Sequence, residues 1–347
     1  MSREKKSVVG IFFEGFGIYV MNLKQFITYM AFPVLGQILG LILTFWLVFT
    51  YSAHLPEIIG KYELMDNFTT ISLSIVLLTL PGLFIVTKAV WDYVIAYCAL
   101  NSMTQGAIET GKVYDFKAHN NVAYARIATY IALWIIFGMF SLVASIPIFW
   151  LLLILFVYFA MIFQVFTFEH KLGPTEIFEK SFRLTKGHFF GNFILMAILG
   201  ILSYLIIPKG IEVVFDFTNL TKFLNGLFSA WCANLPLEQI NNFTQVANIT
   251  VTSVSLAKIL TFQVASFIGI GFTLPLRSIC WTLRYENLND GFEDRKQKFV
   301  KKSRKVSAKS AKKSANSSVN KTPSFKIESR KIDPEIIRRA RLEDDEY

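Results

Sequence analysis

The sequence predicts an all-α polytopic membrane protein with six transmembrane helices, and three observations carry that expectation. Residues Ile127 to Phe168 form 42 consecutive positions without Asp, Glu, Lys or Arg, whereas one helical crossing of a bilayer takes ~20 apolar residues. Hydrophobic residues make up 53% of the 347-residue chain and charged residues 17%, against ~25% charged in a soluble domain. Lysine and arginine, finally, concentrate in alternate connections between the apolar runs, the bias that orients membrane helices.

The elements follow in chain order. Residues 8–25 form a helix in which Ser7, Gly10, Glu14, Gly17 and Gln25 make a small polar stripe on a surface otherwise rich in Phe, Ile and Val, a pattern suited to lying along a membrane surface. Span 1 covers about 26–51. Span 2 covers about 71–90, and its helix continues past the membrane to about Ser102. A second amphipathic segment, Asp115 to Arg126, sets Phe116, Ala123 and Ile127 against Lys117, Asn120, Asn121 and Tyr124. The 42-residue run then holds two crossings, about 127–144 and 149–168, with Ser145, Ile146 and Pro147 at the tight turn between them.

Pro174 to Lys186 is the clearest amphipathic helix. Gly173-Pro174 starts it and Gly187 stops it, as proline at a first-turn position and glycine past the end do. Ile177, Phe178, Ser181, Phe182 and Thr185 share one face; Glu176, Glu179, Lys180, Arg183 and Lys186 share the other. Glu176–Lys180 and Glu179–Arg183 stand at the i,i+4 spacing and in the order that favours ion pairing. Spans 5 and 6 cover about 193–207 and 256–283. The chain therefore divides into three units, about 8–103, 112–168 and 174–285, each an interfacial helix followed by a transmembrane hairpin. Pro33, Pro81 and Pro275 mark expected kinks in spans 1, 2 and 6. In the long connection after span 5, Leu220, Phe223, Leu224, Leu227, Phe228 and Trp231 recur at helical spacing and predict a helix lying on the outer leaflet or capping the bundle.

An even number of crossings puts both termini on one side. With that side inside, 31 Lys and Arg face inward and only Lys61, Lys209, Lys222 and Lys258 face outward, so the orientation with both termini cytoplasmic, in a plasma or bacterial inner membrane, is expected. The organisation is a membrane domain, 1–288, and a basic tail, 289–347. Residues 295–331 hold 14 Lys and Arg against the single acid Glu328. Such a stretch buries too little apolar surface to fold, and each cation near an anionic leaflet contributes ~1 kcal/mol of attraction. Lys301, Lys302, Arg304, Lys305, Lys312 and Lys313, with Lys180, Arg183 and Lys186 on the amphipathic helix, are the candidate contacts with anionic headgroups. Only Phe299 and Phe325 offer rings in this tail for base stacking, which argues against sequence-specific nucleic acid binding.

Chemistry is sparse. The four histidines, His54, His119, His170 and His188, lack zinc-ligand spacing. No Gly-rich phosphate loop, nucleophile elbow or carboxylate pair on one span is present, so no catalytic residue, cofactor or metal is expected. Cys98, Cys232 and Cys280 give no disulfide framework. Within the spans, Lys88 and Asp92 form a candidate ion pair at i,i+4, with Lys88 reaching for the headgroups. Gln37, Gln164 and Gln263 are candidates for hydrogen bonds between helices, and Arg277 reads as an ordinary anchor closing the inner end of span 6. Asn67, Asn219, Asn242 and Asn248 each begin an Asn-x-Thr triplet on the outer side, in segments rich enough in Asn and Thr to make such triplets by chance.

An acidic residue after span 4, Glu169, then a short amphipathic helix ending Ser181-Phe-Arg-Leu-Thr-Lys-Gly187, then Tyr285-Glu-Asn-Leu288 after span 6, resembles the membrane domain of glycerophosphodiester phosphodiesterase and related bacterial six-span families. The resemblance covers about residues 8–288, mostly as layout. It implies a six-span membrane domain and no catalytic residue, because the catalytic barrel of that phosphodiesterase has no counterpart in this sequence. The sequence thus points to a non-enzymatic membrane protein in envelope organisation or partner binding. The alternatives are a small-molecule permease and an accessory membrane subunit of a lipid-modifying enzyme.

Overall fold

The computed structural model describes residues 6–62, 68–111, 113, 116–145, 149–233, 235, 237–238, 241 and 250–289. The tail candidates Lys301, Lys302, Arg304, Lys305, Lys312 and Lys313, the turn residues Ile146 and Pro147, and Asn67, Asn242 and Asn248 lie outside the described residues.

Among the described residues every regular element is helical. The first unit is α1 (Val8–Met21), α2 (Leu23–Tyr62) and α3 (Phe68–Thr110); the second is α4 (Phe116–Tyr124), α5 (Ile127–Ser145), α6 (Phe149–Phe159) and α7 (Ile162–Phe168). The third is α8 (Pro174–Thr185), α9 (Phe189–Ile201), a π turn at Leu202–Ile206, α10 (Ile207–Phe217), α11 (Leu220–Cys232), α12 (Ser253–Phe272) and α13 (Leu274–Leu288). Among the described residues five helices are long and apolar enough to cross a membrane, and six when α4 and α5, bent by 71° from one another, count as one span. That bend is where the second amphipathic segment turns into the third crossing. Each unit thus opens with a short helix, and the apolar crossings follow it, unbroken in the first unit and interrupted in the second and third.

The spans run longer than their apolar cores, and three of them are interrupted. α2 and α3 pass through Pro33 and Pro81 as single helices. They pack closely because small residues face each other. A Cβ on Gly82 would fall 2.8 Å from the Gly40 carbonyl oxygen and 2.0 Å from Thr44 Oγ1, so both positions must be glycine for the backbones to approach, the basis of small-residue packing in lipid. Span 4, expected as one helix over 149–168, breaks at Ala160-Met161. Span 5 carries the π turn just before Pro208, which has no N–H to give the Tyr204 carbonyl, so the Ile207 N–H reaches back to Leu202 instead. Span 6 breaks at Thr273, two residues before the expected kink at Pro275.

α1 lies lengthwise and antiparallel along α13. The Lys6 N–H donates to Asn287 Oδ1 at 3.0 Å at one end, and the Tyr19 hydroxyl donates to the Phe272 carbonyl at 2.8 Å at the other. Between these, a Cβ on Gly15 would come 2.7 Å from Cys280 Sγ. The buried face of α1 is Ile11, Gly15 and Ile18, with Glu14 and Gly17 outward, as the polar stripe requires. Two apolar clusters fill the same end of the bundle: one joins α1, α2, α3, α9 and α13 around Phe26, Met30, Leu100 and Ile279. The other joins α3, α5, α7, α8 and α13 around Tyr130, Ile162, Phe166 and Tyr285. At the opposite end α11 caps the bundle through Leu224 and Phe228 against α12 and through Trp231, stacked 5.7 Å from Phe49.

Candidate functional site

The sharpest sequence motif, Ser181 to Gly187, sits at the end of the bundle formed by α8, α7 and the close of α13. α8 is built as expected. Pro174 occupies its first turn, and Gly187, at φ 88°, closes it in a conformation glycine adopts without steric penalty. Ile177, Phe178, Ser181 and Thr185 are buried, while Phe182 is 41% exposed.

The buried face of α8 holds the interrupted span. With no α-helical turn across Ala160-Met161, the Tyr158 carbonyl accepts from the Ser181 hydroxyl at 3.1 Å and the Thr185 hydroxyl at 3.3 Å. Thr185 Oγ1 accepts from Asn192 Nδ2 at 3.0 Å, and Asn192 Oδ1 accepts from Arg284 Nε at 2.8 Å. Spans 4, 5 and 6 are thereby tied through one buried chain of hydrogen bonds. Arg284 is fully buried, and the room for its guanidinium comes from Gly191, where a Cβ would lie 2.6 Å from Arg284 Nη2.

The charged face of α8 departs from the simple i,i+4 scheme. Glu176 turns back to accept from the Gly173 N–H at 2.7 Å, a capping interaction. Lys180 consequently pairs with Glu169 and not with Glu176, and Glu169 Oε1 also accepts from the Tyr285 hydroxyl at 2.7 Å. Lys180, expected among the headgroup contacts, is thus engaged in tying α8 to span 4 and is only 22% exposed. Glu179 and Arg183 do pair, at 3.7 Å with both side chains 67% exposed. Arg183 and Lys186 are exposed, as are Phe182 and, at the start of α9, Phe190.

Two further clusters fix this end. Arg126, which ends the second amphipathic segment, donates to the carbonyls of Phe166 and Glu169, both at 3.1 Å, and of Leu172 at 2.5 Å, with its guanidinium over the Phe166 ring. It collects the carbonyls left open where α7 ends. Inside the bundle, Asn101 of α3 accepts from Gln164 Nε2 at 3.1 Å and from Ser278 Oγ at 2.6 Å, and donates to Thr167 Oγ1 at 3.3 Å. Gln164 therefore bridges helices, whereas Gln37 donates to the Pro33 carbonyl of its own helix at 2.7 Å and Gln263 is exposed. Lys88 pairs with Asp92, with Lys88 half exposed, and does not reach the Asn101 cluster. Among the described residues no group of three His, Cys, Asp or Glu is placed to hold a metal ion.

Arg277 is the residue that sequence reasoning misplaced. It does not extend toward the Leu288 end of span 6 as an anchor would. Its Nη2 donates to the Ile270 carbonyl at 2.9 Å, halfway along the 36-residue span, and Nη1 donates to the Tyr204 hydroxyl at 3.2 Å. Tyr93 and Tyr97 of α3 interact electrostatically with the same guanidinium. The available signal was the pair of tyrosines one helical turn apart on α3 and an arginine placed well before the polar end of span 6.

A groove of about 560 Å³ lies between α3 and α5 and is lined by apolar side chains including Val90, Trp91, Trp134 and Ile135. No protein-family profile, curated protein or solved structure matches this chain.

Proposed function

We propose that this chain is a non-enzymatic, multi-pass protein of the plasma or bacterial inner membrane, with both termini cytoplasmic. In this reading it organises the membrane by gathering anionic lipid against the α8 end of its bundle. The observation that carries it is the outward surface where α8 passes into α9: Arg183 and Lys186 are exposed, and so are Phe182 of α8 and Phe190 of α9, at 41% and 78%. Cations next to outward aromatic rings suit the headgroup level, where the rings enter the acyl boundary and the charges meet phosphate. The Lys and Arg bias of the sequence supports placing this end inside, and the 14 cations of residues 295–331 add to the same attraction.

The test is lipid enrichment. Full-length protein is reconstituted in nanodiscs of phosphatidylcholine with a minor fraction of phosphatidylglycerol, and retained lipid is identified by mass spectrometry after mild detergent extraction. The expected result is enrichment of phosphatidylglycerol, reduced in Arg183→Gln/Lys186→Gln and lost when the tail cations Lys301, Lys302, Arg304, Lys305, Lys312 and Lys313 are also changed to Gln. Equal retention of both lipids by the wild-type protein would overturn the reading. The alternative of a permease draws on one feature, the cluster of polar groups around Arg277.

A further inference from the structure

We propose that Arg277 and the tyrosines around it bind an oxyanion, the phosphate or carboxylate group of a ligand, at the seam where the π turn of span 5 faces α3 and the break in span 6. The proposal is independent of the headgroup contact at α8 and concerns a different surface.

Four observations lead to it. Among the described residues no carboxylate comes within ion-pair distance of Arg277, so its charge is met only by dipoles. Those dipoles are the Ile270 carbonyl, the Tyr204 hydroxyl and the two phenols of Tyr93 and Tyr97. A cation inside a transmembrane bundle ordinarily pairs with an acid or marks a substrate path. The Ile270 carbonyl, near the C-terminal end of α12, offsets part of the charge as a helix terminus does, and it occupies one donor of five.

The remaining donors are not used up. Arg277 Nε is buried with no hydrogen-bond partner. The Nη1–Tyr204 hydrogen bond lies toward the side of span 5 where Ile201, Tyr204 and Leu205 are at least half exposed. A guanidinium with a donor left over among phenol hydroxyls suits the oxygens of a carboxylate or phosphate.

The backbone around the site is irregular on both flanking spans. The π turn at Leu202–Ile206 swings Tyr204 over the guanidinium, 5.7 Å from ring centre to Arg277 Cζ. The Thr273 break sits one turn from Arg277, and the Thr273 hydroxyl donates to the Gly269 carbonyl at 2.7 Å. Interrupted helices that converge on a polar side chain at membrane depth are the usual construction of a ligand site in a bundle.

The experiment has two arms, because the anion has two sources. Wild-type protein in detergent is titrated with inorganic phosphate and with acetate, and protein in phosphatidylcholine nanodiscs is titrated with phosphatidic acid. Saturable binding is read by the shift in unfolding temperature and by native mass spectrometry. Binding in the first arm assigns a soluble ligand, and binding in the second assigns a lipid headgroup. Arg277→Gln is expected to weaken it by about tenfold or more and Tyr204→Phe by about threefold, with Arg277→Lys intermediate because it keeps the charge and loses the fork. If Arg277 serves only as a cap for α12, Arg277→Gln lowers the unfolding temperature while the wild type responds to neither ligand class, and the proposal falls. Should Arg277→Gln fail to fold, wild-type binding in both Arg277→Lys and Tyr204→Phe overturns it equally.

Discussion

The Ser181 hydroxyl donates to the main-chain carbonyl of Tyr158 at 3.1 Å, joining the buried face of an amphipathic helix to the point where a membrane-spanning helix is interrupted. An unpaired carbonyl in an apolar interior is expensive, so the hydroxyls that α8 supplies stabilise the break in span 4. The serine and threonine of the Ser181 to Gly187 motif are therefore structural.

The two hydroxyls are not equivalent. Ser181→Ala leaves the Tyr158 carbonyl still bonded to Thr185 and should cost ~1 kcal/mol or less. Thr185→Val removes a donor to Tyr158 and also the acceptor of Asn192 Nδ2, and should cost ~1–3 kcal/mol, the penalty of an orphaned buried donor. Thermal unfolding in detergent checks the order; a larger loss from Ser181→Ala contradicts it.

Arg126 should resist conservative replacement. Its fork serves three carbonyls of the segment 166–172 at once, which a single ammonium cannot reach together. Arg126→Met is expected to destabilise by ~2–3 kcal/mol, with Arg126→Lys recovering less than half. Urea unfolding in mild detergent would show full recovery by lysine if the charge alone mattered.

The crossing of α2 and α3 depends on two glycines. Gly82→Ala places a methyl 2.0 Å from Thr44 Oγ1 and 2.8 Å from the Gly40 carbonyl, and should cost ~1–3 kcal/mol as overpacking. Gly200→Ala meets nothing within 4 Å and should be neutral or stabilising by up to ~1 kcal/mol, because alanine is the better helix former. Unfolding temperatures of the two variants should move in opposite directions or differ clearly in size.

Thiol chemistry offers a check on α11. Cys232 is 3% exposed, and burial pushes its thiol above the ordinary range, so at pH 7 less of it is thiolate than in a free cysteine. Maleimide labelling of the folded protein should be slow at pH 7 and rise with pH, while denaturant exposes Cys98, Cys232 and Cys280 together. Rapid labelling of Cys232 at pH 7 would show that α11 does not dock on α12.

What the sequence made legible was governed by local chemistry. Uncharged length marks the spans, and Gly173-Pro174 and Gly187 mark the ends of α8, because each acts on its own few residues. The break at Ala160-Met161 leaves no trace, since Phe159-Ala-Met-Ile162 is as apolar as its surroundings and the groups that bond across the break, Ser181 and Thr185, lie in a different helix further along the chain. Lys180 was assigned to Glu176 by spacing, but a capping turn claimed Glu176 and tertiary placement offered Glu169 and Tyr285. Arg277 was misread for a related reason: a span's end can be estimated from hydropathy, but the direction of one side chain depends on the carbonyl and phenols that surround it.

α3 runs unbroken from Phe68 to Thr110, 43 residues, or ~64 Å at the rise of an α-helix, about twice the oily thickness of a bilayer. It is one continuous rod, and its hydrogen-bond ladder lacks a donor at Pro81. One element thus reaches from the Phe68 side of the membrane well past the other face, so the segments at its two ends hang on a single shaft.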